Sequence, residues 1–289
     1  MAFGRIVKAA LSCLALACGV GPALAGSSAQ PGQTVGIPVG FPLQEGLYFI
    51  NTSSFGVRDT SPRASDLNVN LPSFIWATPW TIANARLQFT VLQPVTASAP
   101  NGGRYQSGFG QTLLAAQLAW DLGNKVGVSY LLGAYLPSDT GLVIRNPVIH
   151  QRFAISYTGD GWDLTAHALY GIFVDTVSPT GTFYPDFLNL DLTATKKFGK
   201  WEIGPVAFGS TDLPATNRPS YQPQGQVAVG GLVGYNFGPV NLQAYVTRDV
   251  IERGYGGRDT RGWLRAIVPI YQADKPAAPD ESRPVLAKY

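Results

Sequence analysis

Charge is what this sequence has least of. Lys, Arg, Asp and Glu make up only 13% of its 289 residues, against 45% apolar residues. A soluble globular domain carries about a quarter charged residues, so a wholly water-facing surface fits poorly. The formal net charge of +3 excludes the dense basic face of a nucleic-acid binder. Cysteine is almost missing: Cys13 and Cys18 are the only two, too few for a disulfide scaffold. There is no H-E-x-x-H motif, and two histidines with scattered acids give no metal-ligand spacing. Gly254-Tyr255-Gly256-Gly257 lacks the Lys-Ser/Thr of a phosphate loop. No cofactor or metal site is therefore expected. Glycine, with 33 residues, is abundant but without a G-X-Y period, which excludes collagen. The 11% of aromatic residues excludes a disordered chain.

The N-terminus reads as a secretory signal over residues 1–25. Arg5 and Lys8 are its charged region, and Ala9 to Val20 is its apolar stretch. That stretch is shorter than the ~20 residues a spanning helix needs. Ala23-Leu24-Ala25 is an A-x-A cleavage site. A membrane anchor and lipoprotein processing at Cys18 are the alternatives. Cleavage after Ala25 removes both cysteines and Met1, and it leaves 19 basic against 18 acidic residues, a net of +1. Further along, no run approaches 18 consecutive apolar residues, so no transmembrane helix is expected.

What recurs instead is an alternation of period two, the mark of strands with two unlike faces. Trp162, Leu164, Ala166, Ala168, Tyr170 and Ile172 alternate with Asp163, Thr165, His167 and Gly171. Leu188 to Ala194, Val240 to Val246 and Ile149 to Tyr157 behave alike. Tight glycine turns follow a period: Gly123, Gly161, Gly199 and Gly238 lie 38, 38 and 39 residues apart. Longer polar connections fall at 56–66, 96–111, 138–147, 174–185, 210–223 and 251–261. Twelve strands are expected, near 45–55, 67–79, 83–94, 112–122, 126–137, 148–158, 162–173, 186–197, 201–209, 226–237, 240–250 and 262–271, the second interrupted by Pro72 and Pro79. An even number of such strands, with short turns on one side and long loops on the other, predicts an all-β fold. It is a closed antiparallel transmembrane β-barrel with short periplasmic turns and longer extracellular loops, because lipid cannot satisfy an open sheet edge. A secreted β-sandwich alternates too. The barrel is favoured by the systematic loop asymmetry and by aromatics near strand ends, such as Trp120, Trp162, Trp201 and Tyr235. Residues 26–44 are expected to be an irregular periplasmic lead, 45–271 the barrel, and 272–289 a disordered tail.

Several segments resemble one outer-membrane family. Gly46-Leu47-Tyr48-Phe49-Ile50-Asn51-Thr52 resembles the first strand of the phenol meta-pathway degradation-like outer-membrane proteins, which are related to the barrel domain of the functional-amyloid channel. Gly161-Trp162-Asp163-Leu164-Thr165 resembles a hairpin of that family. Val233-Gly234-Tyr235-Asn236-Phe237-Gly238 and Trp263-Leu264-Arg265 resemble its last two hairpins. The resemblance covers most of residues 45–271. It implies a twelve-stranded barrel and uptake of small, often aromatic or hydrophobic compounds, with no catalytic motif to transfer. The extra N-terminal helical region of the amyloid channels has no counterpart here.

If the apolar face meets lipid, the alternate residues face the lumen. They are Arg86, Gln88, Gln117, Asp121, His150, Arg152, Asp163, His167, Asp191, Glu202, Gln243, Tyr245, Asp249 and Arg265. Their signs are mixed, unlike an anion-selective arginine ladder. Such groups either pair across a narrow lumen or contact cargo. Tyr135, Phe173, Tyr245 and Trp263 would offer aromatic surface to a flat solute, although Phe173 and Trp263 also suit the membrane interface. His150 and His167 fall on the lumenal face, whereas outer-membrane phospholipases work from the lipid-facing side. The reading is a porin-like, non-enzymatic channel in the outer membrane of a Gram-negative bacterium, for passive uptake of small, aromatic or hydrophobic solutes. A plugged barrel with a structural or interaction role is the alternative, and a lipid-modifying enzyme is third. Outer-membrane lipid and a small solute are the expected partners, with no nucleic acid.

Overall fold

The alternating segments form strands, and the strands close on themselves. A computed structural model describes residues 27–59, 66–99, 103–138, 146–177, 181–214 and 221–273. The expected signal peptide, the tail after residue 273 and parts of five long connections lie outside the described residues. The strands are β1 (Gly46–Arg58), β2 (Asp66–Ile82), β3 (Ala85–Leu92), β4 (Val95–Ala99), β5 (Gln106–Phe109), β6 (Leu113–Asp121), β7 (Val126–Tyr135), β8 (Val148–Tyr157), β9 (Trp162–Phe173), β10 (Phe187–Phe198), β11 (Trp201–Asp212), β12 (Gly225–Asn236), β13 (Asn241–Arg253) and β14 (Asp259–Gln272). All pairings are antiparallel, sequence neighbours pairing except β3 with β4 and β5 with β6, and β14 returns to pair along the whole of β1, from Gly46 opposite Gln272 to Arg58 opposite Asp259.

These segments build twelve staves. The lower part of β2 pairs with β3 and its upper part with β4, so β3 and β4 are one stave interrupted at Gln93-Pro94. Likewise β5 and β6 are one stave interrupted at residues 110–112. The 96–111 connection, expected to be a loop, is therefore largely a β4–β5 hairpin. β2 also runs through both of its prolines. Pro72 keeps its carbonyl in the ladder by accepting from Gln93 N at 3.0 Å, and the register shifts between Ala77 and Thr81, around Pro79.

Leu132, Phe153, Ile155, Ile203, Val246 and Leu264 stand on the outer surface, each at least half exposed. An apolar surface this continuous belongs against hydrocarbon and would aggregate in water. Trp201, Tyr235 and Phe237 pack edge to face at the short-turn end, where interfacial aromatics anchor a barrel. The two-residue turn Ala83-Asn84 takes left-handed angles, φ 49° and 62°, which match the twist of a β-hairpin.

Residues 27–45 do not lie beneath the barrel as an irregular lead. They run through its interior, from the long-loop end at Ser27 to the short-turn end at Glu45. Pro31 to Gly36 are all buried. The lead has no hydrophobic period, but Gly32, Gly36 and Gly40 recur every fourth residue. A Cβ at Gly32 would strike the Phe208 ring, at Gly36 the Leu232 side chain, and at Gly40 the backbone of Gly127 and Ser156. Glycine lets this segment lie directly on the inner wall.

Candidate functional site in the barrel lumen

The lumenal segment is held by two ionic residues on opposite sides of one short stretch. Asp191, on β10, accepts from Gly32 N at 2.8 Å, Thr34 N at 2.9 Å and the Thr34 hydroxyl at 2.6 Å. Arg265, on β14, donates to the carbonyls of Gln33 at 2.7 Å and Val35 at 2.5 Å. Its remaining N–H groups go to Thr52, Gln243 and the Tyr245 hydroxyl, so all five guanidinium donors are used. The carboxylate takes the amide hydrogens and the guanidinium takes the carbonyls of the same turn. Both are charge-assisted bonds in a buried setting, the stronger class.

Neutral groups extend this grip downwards. Gly36 N donates to the Thr193 hydroxyl at 2.7 Å, and Gln243 Nε2 reaches Gly36 O at 2.7 Å and Glu202 Oε2 at 3.1 Å. Ser129 and Gln117 both donate to Val39 O. Gly40 N meets Ser156 Oγ at 3.0 Å, and Thr165 Oγ1 lies between Ser156 and Asp163 at 2.8 and 2.7 Å. Leu43 N donates to Gln88 Oε1 at 3.3 Å. Val35 also packs among Val206, Phe208, Leu232, Tyr245 and Trp263. The Tyr245 and Trp263 rings stack 5.0 Å apart.

The expected lumenal residues thus fall into groups. Gln88, Gln117, His167, Asp191, Glu202, Gln243, Tyr245 and Arg265 hold the N-terminal segment directly or through one neighbour, and Asp163 does so through Thr165 and Ser156. The Thr34 hydroxyl donates to Asp191, so His167 Nδ1, 2.8 Å away, is the donor in its own contact with that hydroxyl. His150 and Arg152 are buried beside it, with Arg152 Nε donating to His150 Nε2 at 2.8 Å. Asp249 sits at the long-loop rim, 3.6 Å from Arg58, and accepts from Asp259 N at 2.8 Å. Arg86 and Asp121 line no part of the central lumen. Arg86 donates to Thr78 O at the β2 irregularity, and Asp121 is exposed, accepting from Gly123 N in the turn.

Tyr135, Phe173, Tyr245 and Trp263 all point inward and are buried. Phe173 and Tyr135 belong to an apolar cluster at the long-loop end, with Leu113, Val148, Leu169 and Phe187 around Ala29. Phe173 stacks on Tyr184 at 5.4 Å and meets Phe187 edge-on at 6.1 Å. Gly171 leaves the room that the Phe187 ring occupies. This cluster fills the lumen above the ionic seat.

Beside the N-terminal segment the lumen is not filled. A cavity of about 330 Å³ lies between Ile37, Pro38 and Val39 on one side and β1, β2, β3, β6 and β7 on the other. Its wall carries Ile50, Leu71, Ile75, Leu92 and Leu131, interleaved with the neutral polar groups of Thr52, Ser73, Gln88, Thr90 and Gln117. Alternation alone names the inward residues, but it does not say that this part of the wall is apolar and uncovered.

Solved structures of similar shape are outer-membrane barrels. An outer-membrane channel from Pseudomonas putida F1 matches with a TM-score of 0.65 at 13% identity, over 83% of this chain and 99% of that one. The translocator domain of the autotransporter NalP from Neisseria meningitidis matches with a TM-score of 0.50 at 12% identity, over 77% of this chain and 87% of that one. Among curated proteins no match is found. The family profile described as the MetA-pathway of phenol degradation spans residues 44–266, nearly the whole barrel, and the chain belongs to that family of outer-membrane β-barrels.

Proposed function

We propose that this protein is an outer-membrane channel for passive uptake of small, largely apolar solutes, aromatic ones included. In this reading the chain is exported by a signal cleaved after Ala25 and works without catalysis. One observation carries the reading: the N-terminal segment covers most of the charged lumenal wall and leaves a largely apolar part, bordered by Arg152 and Lys197, facing an open cavity. A space of about 330 Å³ is at the lower end of small-molecule sites and holds a one-ring solute. A solute arriving from outside would part the cluster of Phe173, Phe187 and Tyr135, cross the cavity, and leave past Lys197 and Asn241 at the short-turn mouth. An apolar solute has a second way out, sideways, where the β3–β4 and β5–β6 staves are interrupted next to each other. Passage follows the gradient, since nothing in the sequence supplies a nucleotide site.

The five-donor seat of Arg265 and the three-fold grip of Asp191 favour a second reading, a permanently plugged barrel with a structural role. Planar-bilayer recordings and liposome uptake separate the two. The channel reading expects conductance for the mature protein and measurable entry of small aromatics such as toluene or phenol. Neither conductance nor solute flux, from protein that shows heat-modifiable migration, would leave the plugged barrel.

A further inference from the structure

One lumenal cation is not used up by the N-terminal segment. Arg152 projects inward from the middle of β8 and is 8% exposed. Its Nε donates to His150 Nε2 at 2.8 Å, and Nη2 reaches the Tyr135 hydroxyl at 3.4 Å. Among the described residues it makes no other hydrogen bond, and no carboxylate lies within 4.0 Å of it. Three of its five N–H groups therefore have no protein acceptor. The other buried arginines differ: Arg265 has all five donors engaged, and Arg261 pairs with Asp259 at 2.9 Å.

The guanidinium of Arg152 borders the cavity, and no acidic residue is among the cavity's lining residues. Leu131 lies directly opposite Arg152 in the β7–β8 ladder, so the cationic end and the apolar wall adjoin. A second cation, Lys197, stands at the periplasmic mouth of the same cavity. The Asp191 carboxylate acts on Arg152 only at a distance, its oxygens being taken by Gly32 and Thr34; a buried guanidinium without a contacting acceptor is costly, and an anion that brings its own acceptors relieves that cost.

We propose that the cavity is a binding site for a small apolar carboxylic acid in its monoanionic form. The carboxylate pairs with Arg152 through two parallel N–H donors, and the hydrocarbon body lies against Leu71, Ile75, Leu92 and Leu131. This rests on the uptake reading and names the solute class for it: one-ring or short-chain acids, in preference to neutral or cationic relatives of the same shape.

The test is calorimetric titration of the detergent-solubilised barrel with benzoate, benzamide and benzylamine, alongside liposome flux of the same three. Benzoate is expected to bind about tenfold or more tightly than benzamide, as a charge-assisted pair exceeds a neutral one, and benzylamine not at all. Arg152→Gln should bring benzoate down to the level of benzamide, and Arg152→Lys should restore part of the preference. Leu131→Trp, which fills the apolar end, should weaken both. Heat-modifiable migration checks that each variant is folded, and the comparison of benzoate with benzamide on the unaltered barrel needs no variant. Equal binding of the two, or no benzoate binding, overturns the site. Benzoate binding without flux keeps the site and removes the uptake reading. Flux at equal rates for benzoate and benzamide, without preferential binding, does the reverse.

Discussion

The two halves of the lumenal wall are built from different chemistry. From β8 to β14 the mid-barrel carries His150, Arg152, Asp163, His167, Asp191, Glu202 and Arg265, all buried. From β1 to β7 the cavity wall carries aliphatic side chains, hydroxyls and amides, and no carboxylate. Apart from His150 and Arg152, the first wall binds the protein's own backbone directly or through neighbouring side chains, because a peptide offers alternating donors and acceptors that fixed charges can take up. The second wall holds the segment only through neutral side chains, Gln117 and Ser129 donating to Val39 O and Gln88 accepting from Leu43 N, and beside these contacts a space remains. An occluding segment and an open cavity coexist because polar and apolar groups are segregated around the barrel circumference.

The strongest way to break this asymmetry is to remove the seat. Asp191→Ala with Arg265→Leu strands several buried amides and carbonyls, each costing about 1–3 kcal/mol when left unmade. Since 1.4 kcal/mol is a tenfold change in an equilibrium, the segment should leave the lumen often enough to raise bilayer conductance and expose residues 27–44 to protease. Thr90→Val, on the opposite wall and without a bond to the segment, should do neither. If both changes raise conductance alike, the two walls do not differ in role.

Next in size is the closure above the cavity. Phe187→Ala removes the ring that Gly171 accommodates, and core truncations of this kind cost about 3–5 kcal/mol. Unfolding in denaturant should shift accordingly, and solute flux should rise with the ionic seat intact. An unchanged flux would mean that the aromatic cluster does not limit passage. A smaller change is Gln243→Leu, which deletes the link between Gly36, Glu202 and Arg265 and leaves their partners unmatched. It should destabilise by about 1–3 kcal/mol and raise protease access to the segment less than the double change does.

The smallest effect is expected outside the membrane. Lys125 and Asp160 form an exposed pair at 2.9 Å in the short turns. The hydrogen bond from Lys125 holds the Asp160 carboxyl below its usual range and raises the Lys125 ammonium above its own. The carboxylate's contribution is present above its unfolded pKa and fades as pH falls through the depressed value. That of the ammonium is present below the ordinary lysine pKa and fades as pH rises through the raised one. Thermal stability should thus be flat with respect to this pair from about pH 5 to 9, and Asp160→Asn should be close to neutral in salt. A marked loss for that variant at neutral pH would give the turns a weight that belongs to the lumen here.

Much of the barrel was legible in the sequence. The alternation in 162–173 returns as β9, with Asp163, Thr165 and His167 inward and Leu164 exposed outward. The 38-residue glycine period returns as successive hairpins. Two strand details were not legible. β2 was expected to be interrupted by its prolines, yet Pro72 keeps its place through its carbonyl and Pro79 sits in a register shift. The β4–β5 hairpin hides in a stretch of Gly, Ser, Asn and Pro that reads as a loop, because β2 is long enough to hold its strands in the sheet.

Of the lumenal residues, most inward positions followed from parity, while Arg86 and Asp121 did not, since parity says nothing about height along the barrel. The partner of these residues was hidden altogether. Residues 27–45 carry no period, only glycines every fourth position, and their contacts cross most of the chain, as between Arg265 and Gln33, 232 positions apart.

The sequence by itself determined which face of each strand meets lipid, because the side-chain period of a strand is two and hydrocarbon accepts neither charge nor an open edge. Only the tertiary structure decided what the inward face is for. Closure brings β10 and β14 within reach of one short turn, so that Asp191 and Arg265 grip it together, and it leaves Arg152 facing an apolar space. No pattern along the chain encodes that choice, since it depends on distances across the lumen rather than on spacing in the sequence.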